Sequence, residues 1–192
     1  ARETYPNEPL VPRLQAETLT FAQKYPEALK IYDQLLAADP KDADAALGKA
    51  RVYNYSNDLA KSVDQYHAVL ALQPDNYQGI TELADVEGRR ANYAESIRLY
   101  QQAIAQNPKD LNVRVEMARV QRYAGLTKDA EANLTTVIST DPNYAPAYTE
   151  RGILLGQAGS FAPALADLNK ALEITPSDIT AQMGLAEVQG YA

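Results

Sequence analysis

The sequence contains no cysteine, no tryptophan and only one histidine among its 192 residues. Without cysteine there is neither a disulfide framework nor a thiolate metal site, so stability has to come from packing alone. Such a chain suits the cytoplasm and an oxidising compartment equally, and the compartment stays open between cytoplasmic and bacterial periplasmic or envelope-associated. The single His67 excludes a histidine-based metal cluster, and its place on the outer side of a predicted helix makes it an ordinary surface residue. No apolar run approaches the roughly 18 to 20 residues needed to cross a bilayer, and the start Ala1-Arg2-Glu3-Thr4 has no signal-peptide pattern. Direct membrane insertion is not expected, and any targeting segment is expected to have been removed or to lie beyond this stretch. Basic residues are also in short supply: 18 Lys and Arg against 25 Asp and Glu leave a formal charge of -7. Sequence-independent binding to nucleic acid or to anionic lipid draws on surplus positive charge, so neither is expected. No glycine-rich phosphate loop is present. An enzyme is therefore not expected, and neither a cofactor nor a metal is implied.

What the chain does have is a period. Pro6, Pro40, Pro74, Pro108, Pro142 and Pro176 stand 34 residues apart. An apolar pattern of helical length ends just before each from Pro40 on, as expected where the ring forbids helix continuation and restricts the residue before it. Two residues beyond each proline stand Glu8, Asp42, Asn76, Asp110, Tyr144 and Asp178, and Asp or Asn there caps the N-terminus of a following helix. In the stretch from Tyr77 to Asp110, residues Tyr93, Ser96, Ile97, Tyr100, Ala103 and Ile104 recur at steps of three and four, on one helical face. Ile80, Leu83, Ala84 and Val86 precede them on a first helix, broken at Arg90-Ala91-Asn92. The unit is a helical hairpin, and one hairpin alone cannot bury both of its apolar faces.

Other columns share the period. Ala16, Ala50, Ala84, Ala118, Gly152 and Ala186 are small, as are Ala28, Ser62, Ser96, Ala130 and Ala164. Tyr32, Tyr66, Tyr100, Leu134 and Leu168 form a large apolar column, and Leu36, Leu70, Ile104, Ile138 and Leu172 another. Small facing large is the volume complementarity that a packed helix array needs. Turn signals fall midway, at Asn57-Asp58, Ala91-Asn92, Gly125 and Gly159. The GxxxG spacing of Gly152 and Gly156 reads as close helix packing. Asn54-Tyr55-Ser56 and Asn133-Leu134-Thr135 match the glycosylation acceptor pattern, but fall in or near predicted helices and read as coincidence.

A period of 34 with small, small, aromatic and proline in this order resembles the tetratricopeptide repeat (TPR). The second-helix signature stands at Ala28-x3-Tyr32 with Pro40, at Ser96-x3-Tyr100 with Pro108, and at Ala164-x3-Leu168 with Pro176. The first-helix signature is looser: the family's tryptophan is absent, its leucine is matched by Leu83 and Met117 but replaced by Lys49 and Arg151, and its tyrosine survives at Tyr53. The resemblance covers residues 9–42, 43–76, 77–110, 111–144 and 145–178, and implies an all-α, right-handed superhelix, or α-solenoid, of helical hairpins. By register, residues 1–8 are the tail of a preceding repeat or an N-terminal extension. Residues 179–192 are a single helix, a cap or the start of a sixth repeat. That helix is apolar at Met183, Leu185, Ala186 and Val188, so the chain is expected to be a segment of a longer protein, and self-association through it is a further expectation.

In TPR proteins the first helices line the concave side, where a ligand is met. The equivalent positions are Asp44, Leu47, Arg51, Asn54 and Tyr55; then Gln78, Thr81, Glu82, Asp85 and Arg89. Asn112, Val115, Glu116, Arg119, Arg122 and Tyr123 follow, and then Thr149, Glu150, Ile153 and Gln157. Arg51, Arg89, Arg119 and Arg122 would run along one side of three successive repeats, and Phe21, Tyr55, Tyr123 and Tyr191 share one column. Arginine forks with tyrosine rings are hot-spot chemistry. Arg89 four residues after Asp85, and Arg119 three after Glu116, equally allow local neutralisation on a solvated face. The arrangement by which some TPR proteins clamp a chaperone tail's C-terminal carboxylate is missing, since the matching places hold Leu47, Arg51, Asn112 and Glu116.

The resemblance thus implies a non-enzymatic scaffold whose groove, centred on Arg51, Asn54, Tyr55, Glu82, Asp85, Arg89, Asn112, Glu116, Arg119, Arg122, Tyr123 and Glu150, binds a peptide or protein segment with some acidic character. The alternatives are a structural or docking part of a bacterial envelope secretion or polysaccharide-export assembly, and a self-associating module.

Overall fold

The computed structural model describes residues 10–191. The expectations placed on residues 1–8, including a helix-capping Glu8, lie outside the described residues. Among those described there are eleven α-helices and no strand. The chain forms two compact units, which divide between Ala91 and Asn92.

The first unit holds α1 (Leu10–Phe21), α2 (Tyr25–Ala38), α3 (Ala43–Tyr55), α4 (Leu59–Leu72) and α5 (Tyr77–Arg89). Each helix packs on the next, and α1 also packs on α3. Asp42 and Asn76 cap α3 and α5 as the sequence predicts, their side chains accepting from the amides of Ala45 at 2.9 Å and Gly79 at 2.8 Å. Between the helices of a hairpin, one residue turns left-handed: Gln23, Asn57 and Ala91 have φ of 58°, 61° and 61°. At the end of α3 this lets the Asp58 amide reach back to the Tyr53 carbonyl at 2.9 Å, satisfying a terminal acceptor. Ala16, Ala28, Ala50, Ser62 and Tyr66 are wholly buried, and the Ser62 hydroxyl donates to the Ala50 carbonyl at 3.1 Å across the hairpin.

The second unit holds α6 (Tyr93–Gln106), α7 (Leu111–Tyr123), α8 (Thr127–Thr140), α9 (Ala145–Gln157), α10 (Phe161–Ile174) and α11 (Ile179–Tyr191). Its core includes two clusters. One joins Val115, Ala118, Ala130, Leu134, Val137, Ala147 and Leu154; the other joins Ala164, Leu168, Ala171, Ala181 and Val188. Gly152 and Gly156 are there for close approach: a Cβ on Gly152 would stand 2.6 Å from Leu168, and one on Gly156 2.5 Å from Val188. Asp110 and Asp178 cap α7 and α11 with their side chains, whereas Tyr144 offers α9 no side-chain cap.

Two expected core columns are corrected. Leu36, Leu70, Ile104, Ile138 and Leu172 are only half-buried, while Val69, Ala103, Val137 and Ala171, one residue earlier, are buried. At about 100° per residue, a step of three from the tyrosine column lands within about 20° of the buried alanine column that Ala28 belongs to, whereas a step of four lands about 80° from it. Ala186 is exposed, unlike Ala118 in the same column, because no described helix packs on that side of α11.

Candidate functional site

In the first unit the first-helix positions converge on a carboxylate. Arg51 on α3 grips Glu82 on α5: Nε stands 2.8 Å from Oε2 and 3.1 Å from Oε1, and Nη2 2.6 Å from Oε1. Tyr66 on α4 donates its hydroxyl to the same Oε2 at 2.9 Å. The hydrogen bond to Glu82 raises the Arg51 pKa further, and burial, reinforced by Glu82, pushes the Tyr66 phenol well up. Arg89 reaches back to the side-chain oxygens of Asn54 and Asn57. Asp85 is exposed, and the exposed ring of Tyr55 lies 6.5 Å from that of Phe21.

Beside this pair opens a cleft lined by Glu17, Thr20, Phe21, Tyr32, Gly48, Arg51, Tyr55, Gln78 and Glu82. Its floor depends on Gly48. A Cβ there would stand 2.4 Å from the Tyr32 ring.

In the second unit Arg119 and Arg122 of α7 share Glu150 of α9. Arg119 Nε stands 2.7 Å from Glu150 Oε1 and Nη1 2.6 Å from Glu116 Oε2; Arg122 Nη2 is 3.3 Å from Glu150 Oε2. Burial works against the Arg119 charge, but Glu150 and Glu116 outweigh it and its pKa rises. Arg122 also donates to Gln157 at 3.3 Å, and its guanidinium lies 4.5 Å from the centre of the exposed Tyr123 ring. Asn112 stands exposed at the start of α7.

These arginines are therefore tied into the chain, and mostly not by local pairs. Arg51 to Glu82 and Arg119 to Glu150 both span 31 residues, one repeat less three, so each links consecutive first helices. Glu150 is buried beneath its two arginines, and Leu47, Val115 and Thr149, expected on the exposed stripe, are buried too. The sequence reading missed Arg13, whose Nη2 stands 2.9 Å from both oxygens of the capping Asp42 and whose Nη1 is 2.9 Å from Asp44. It also missed Arg151, held by Asp167 at 2.7 and 2.8 Å. An offset counted against the 34-residue period, rather than within one helix, is the signal that finds Arg13 with Asp44, 31 residues on, whereas Arg151 and Asp167 lie 16 apart on neighbouring helices. Among the described residues no cluster of three or more His, Cys, Asp and Glu could hold a metal ion, and no helix is long and apolar enough to cross a membrane.

Family profiles described as "Tetratricopeptide repeat" match residues 13–78, 89–150 and 145–178. Mouse tetratricopeptide repeat protein 21A is 29% identical over 150 residues, covering 77% of this chain and 11% of that protein. Human DnaJ homolog subfamily C member 7 is 23% identical over 176 residues, covering 83% of this chain. The chain thus spans 11% and 36% of the lengths of these two relatives. Among solved structures, PilW, described as a widely conserved type IV pilus biogenesis factor, superposes with a TM-score of 0.80 at 22% identity, over 96% of this chain and 87% of that one. YrrB, described as a TPR protein with an unusual peptide-binding site, superposes with a TM-score of 0.72 at 22% identity, over 93% and 92%. At these identities the likeness shows the fold.

Proposed function

The chain belongs to the tetratricopeptide repeat family, and on that premise we propose that it is a non-enzymatic scaffold that binds a peptide or protein segment along its first helices. The division into repeats at 9–42, 43–76, 77–110, 111–144 and 145–178, with 179–192 beyond them, belongs to the same reading. The observation that carries it is the exposed aromatic column. Phe21 and Tyr55 meet at the rim of a cleft in the first unit, and Tyr123 stands beside Arg122 in the second, each more than half exposed. Rigid rings at the edge of a polar cleft offer contact area at little entropy cost, which is how binding hot spots are made. Glu82, Glu116 and Glu150 would keep the arginines Arg51, Arg119 and Arg122 in place, while Asn54, Asp85, Arg89 and Asn112 supply polar contacts around them.

The test is selection of displayed peptides against the intact chain, followed by titration of the selected peptides with Tyr55→Ser and Tyr123→Ser. Loss of binding in either variant, with the helical spectrum unchanged, is expected. Binding by both variants as tight as that of the unmodified chain would remove the first helices from the interface.

A second reading, self-association, is favoured by α11, where Ile179, Met183 and Tyr191 are each more than two-thirds exposed. Light scattering at rising concentration tests it: Met183→Lys is expected to abolish any dimer, and a monomer at every concentration excludes it.

A further inference from the structure

The step from α3 to α5 carries Arg51, Glu82 and Tyr66. One repeat earlier the same three places hold Glu17, Gly48 and Tyr32, so the arginine has become a carboxylate and the carboxylate has been deleted. Tyr66 has Glu82 to accept its hydrogen bond; at the corresponding place Tyr32 has the bare backbone of Gly48. Tyr32 is 3% exposed, and among the described residues nothing hydrogen-bonds its hydroxyl, which lies in the wall of the cleft. Burial and the Glu17 charge both raise its pKa, so the phenol stays neutral near pH 7 and its oxygen is free to accept. Glu17 has no ion-pair partner among the described residues.

The charges around the cleft do not balance. Arg51 is spent on Glu82, and Arg13, whose charge also reaches Tyr32, is spent on Asp42 and Asp44. Glu17 is left over. An occupant with a negative group would meet that carboxylate and find both nearby guanidinium groups engaged, whereas a cation would complete the missing half of the pair. The rings of Phe21 and Tyr55 at the rim suit both the methylene stem and the charge of a long basic side chain.

We propose that the cleft between α1 and α3 is a pocket for a single Lys or Arg side chain of the bound segment, its cationic head against the Glu17 carboxylate and the Tyr32 hydroxyl, and its stem between Phe21 and Tyr55. This rests on the peptide-binding reading above and reverses the acidic character expected from the sequence, because three of the arginines that suggested it, Arg51, Arg119 and Arg122, pair with carboxylates within the chain.

The test uses an array of short N-acetylated, C-amidated peptides with Lys, Arg, Gln, Leu or Glu at the central position of otherwise matched, varied flanks, probed with the whole chain. Binding concentrated on central Lys and Arg is expected. In anisotropy titrations of the best of these, Glu17→Gln should weaken binding about tenfold, the scale of one lost charged hydrogen bond. Tyr32→Phe, which removes only the hydroxyl, should weaken it a few-fold, and the control Glu27→Gln, an exposed carboxylate on α2, should leave it unchanged. Glu17→Arg should shift the preference to central Glu. Binding without preference for a basic centre, preference for Glu by the unmodified chain, or indifference to Glu17→Gln would overturn the pocket and leave the scaffold reading standing. No binding by any peptide would overturn both.

Discussion

Arg119 crosses from one first helix to the next to meet Glu150, its Nε 2.7 Å from Oε1, and Arg122 reaches the other oxygen of the same carboxylate at 3.3 Å. Two cations from α7 thus converge on one buried anion of α9. The desolvation of such a pair offsets much of its attraction, so removing one partner costs more than the intact pair contributes.

Glu150→Gln is expected to lower stability by about 1–3 kcal/mol, because it leaves two guanidinium groups facing a neutral amide; the partial exposure of Arg119 keeps the figure below that of a fully buried pair. Urea unfolding followed by helical signal measures it. Arg98→Ala, which breaks the exposed pair with Glu95, should cost less than about 1 kcal/mol in the same assay.

The hairpin turns predict substitutions of opposite sign. Ala91 adopts φ of 61°, where an L side chain is strained, so Ala91→Gly should raise stability by roughly 1 kcal/mol. Gly125 has φ of 75° and open space around its Cβ position, so Gly125→Ala should lower stability by a similar amount for purely conformational reasons. Opposite shifts of the two melting temperatures are the expected readout.

Gly48→Ala should destabilise by about 1–3 kcal/mol, since the new methyl would overlap the Tyr32 ring. Replacing that ring by a smaller group in the same chain, Gly48→Ala with Tyr32→Ala, should cost less than the sum of the two single changes. A double-mutant cycle measures the coupling.

Alkaline pH should loosen the first unit through Tyr66. Its folded pKa lies above the unfolded value of about 10, so the folded state holds the proton more tightly. Stability from this group is complete below about pH 10 and is lost as pH rises beyond it. Tyr66→Phe should flatten the fall above that pH in a series of urea titrations.

The array was legible in the sequence because proline and small residues act locally: Pro40 stops its own helix and Ala50 makes its own gap, whatever lies elsewhere in the chain. The aromatic rim at Phe21 and Tyr55 was legible for the same reason. The arginine pairs were not, because side chains 31 residues apart meet only after two hairpins have stacked, and a search at steps of three and four along one helix passes over them. Gln23 hid differently. Its left-handed turn stands in register with Asn57 and Ala91, but glutamine carries no turn signal of its own. The cleft was least legible, since it is made by a side chain that is not there: Gly48 in the place that Glu82 fills one repeat later.

Because Arg51 faces Glu82 while Glu17 faces Gly48, hairpins of one shape are not interchangeable tiles. Excising residues 43–76 would splice two well-formed repeats in perfect phase and yet bring Glu82 opposite Glu17, anion against anion, where the intact chain has an arginine. The order of the repeats is written in their charges, and shuffling them would scramble it.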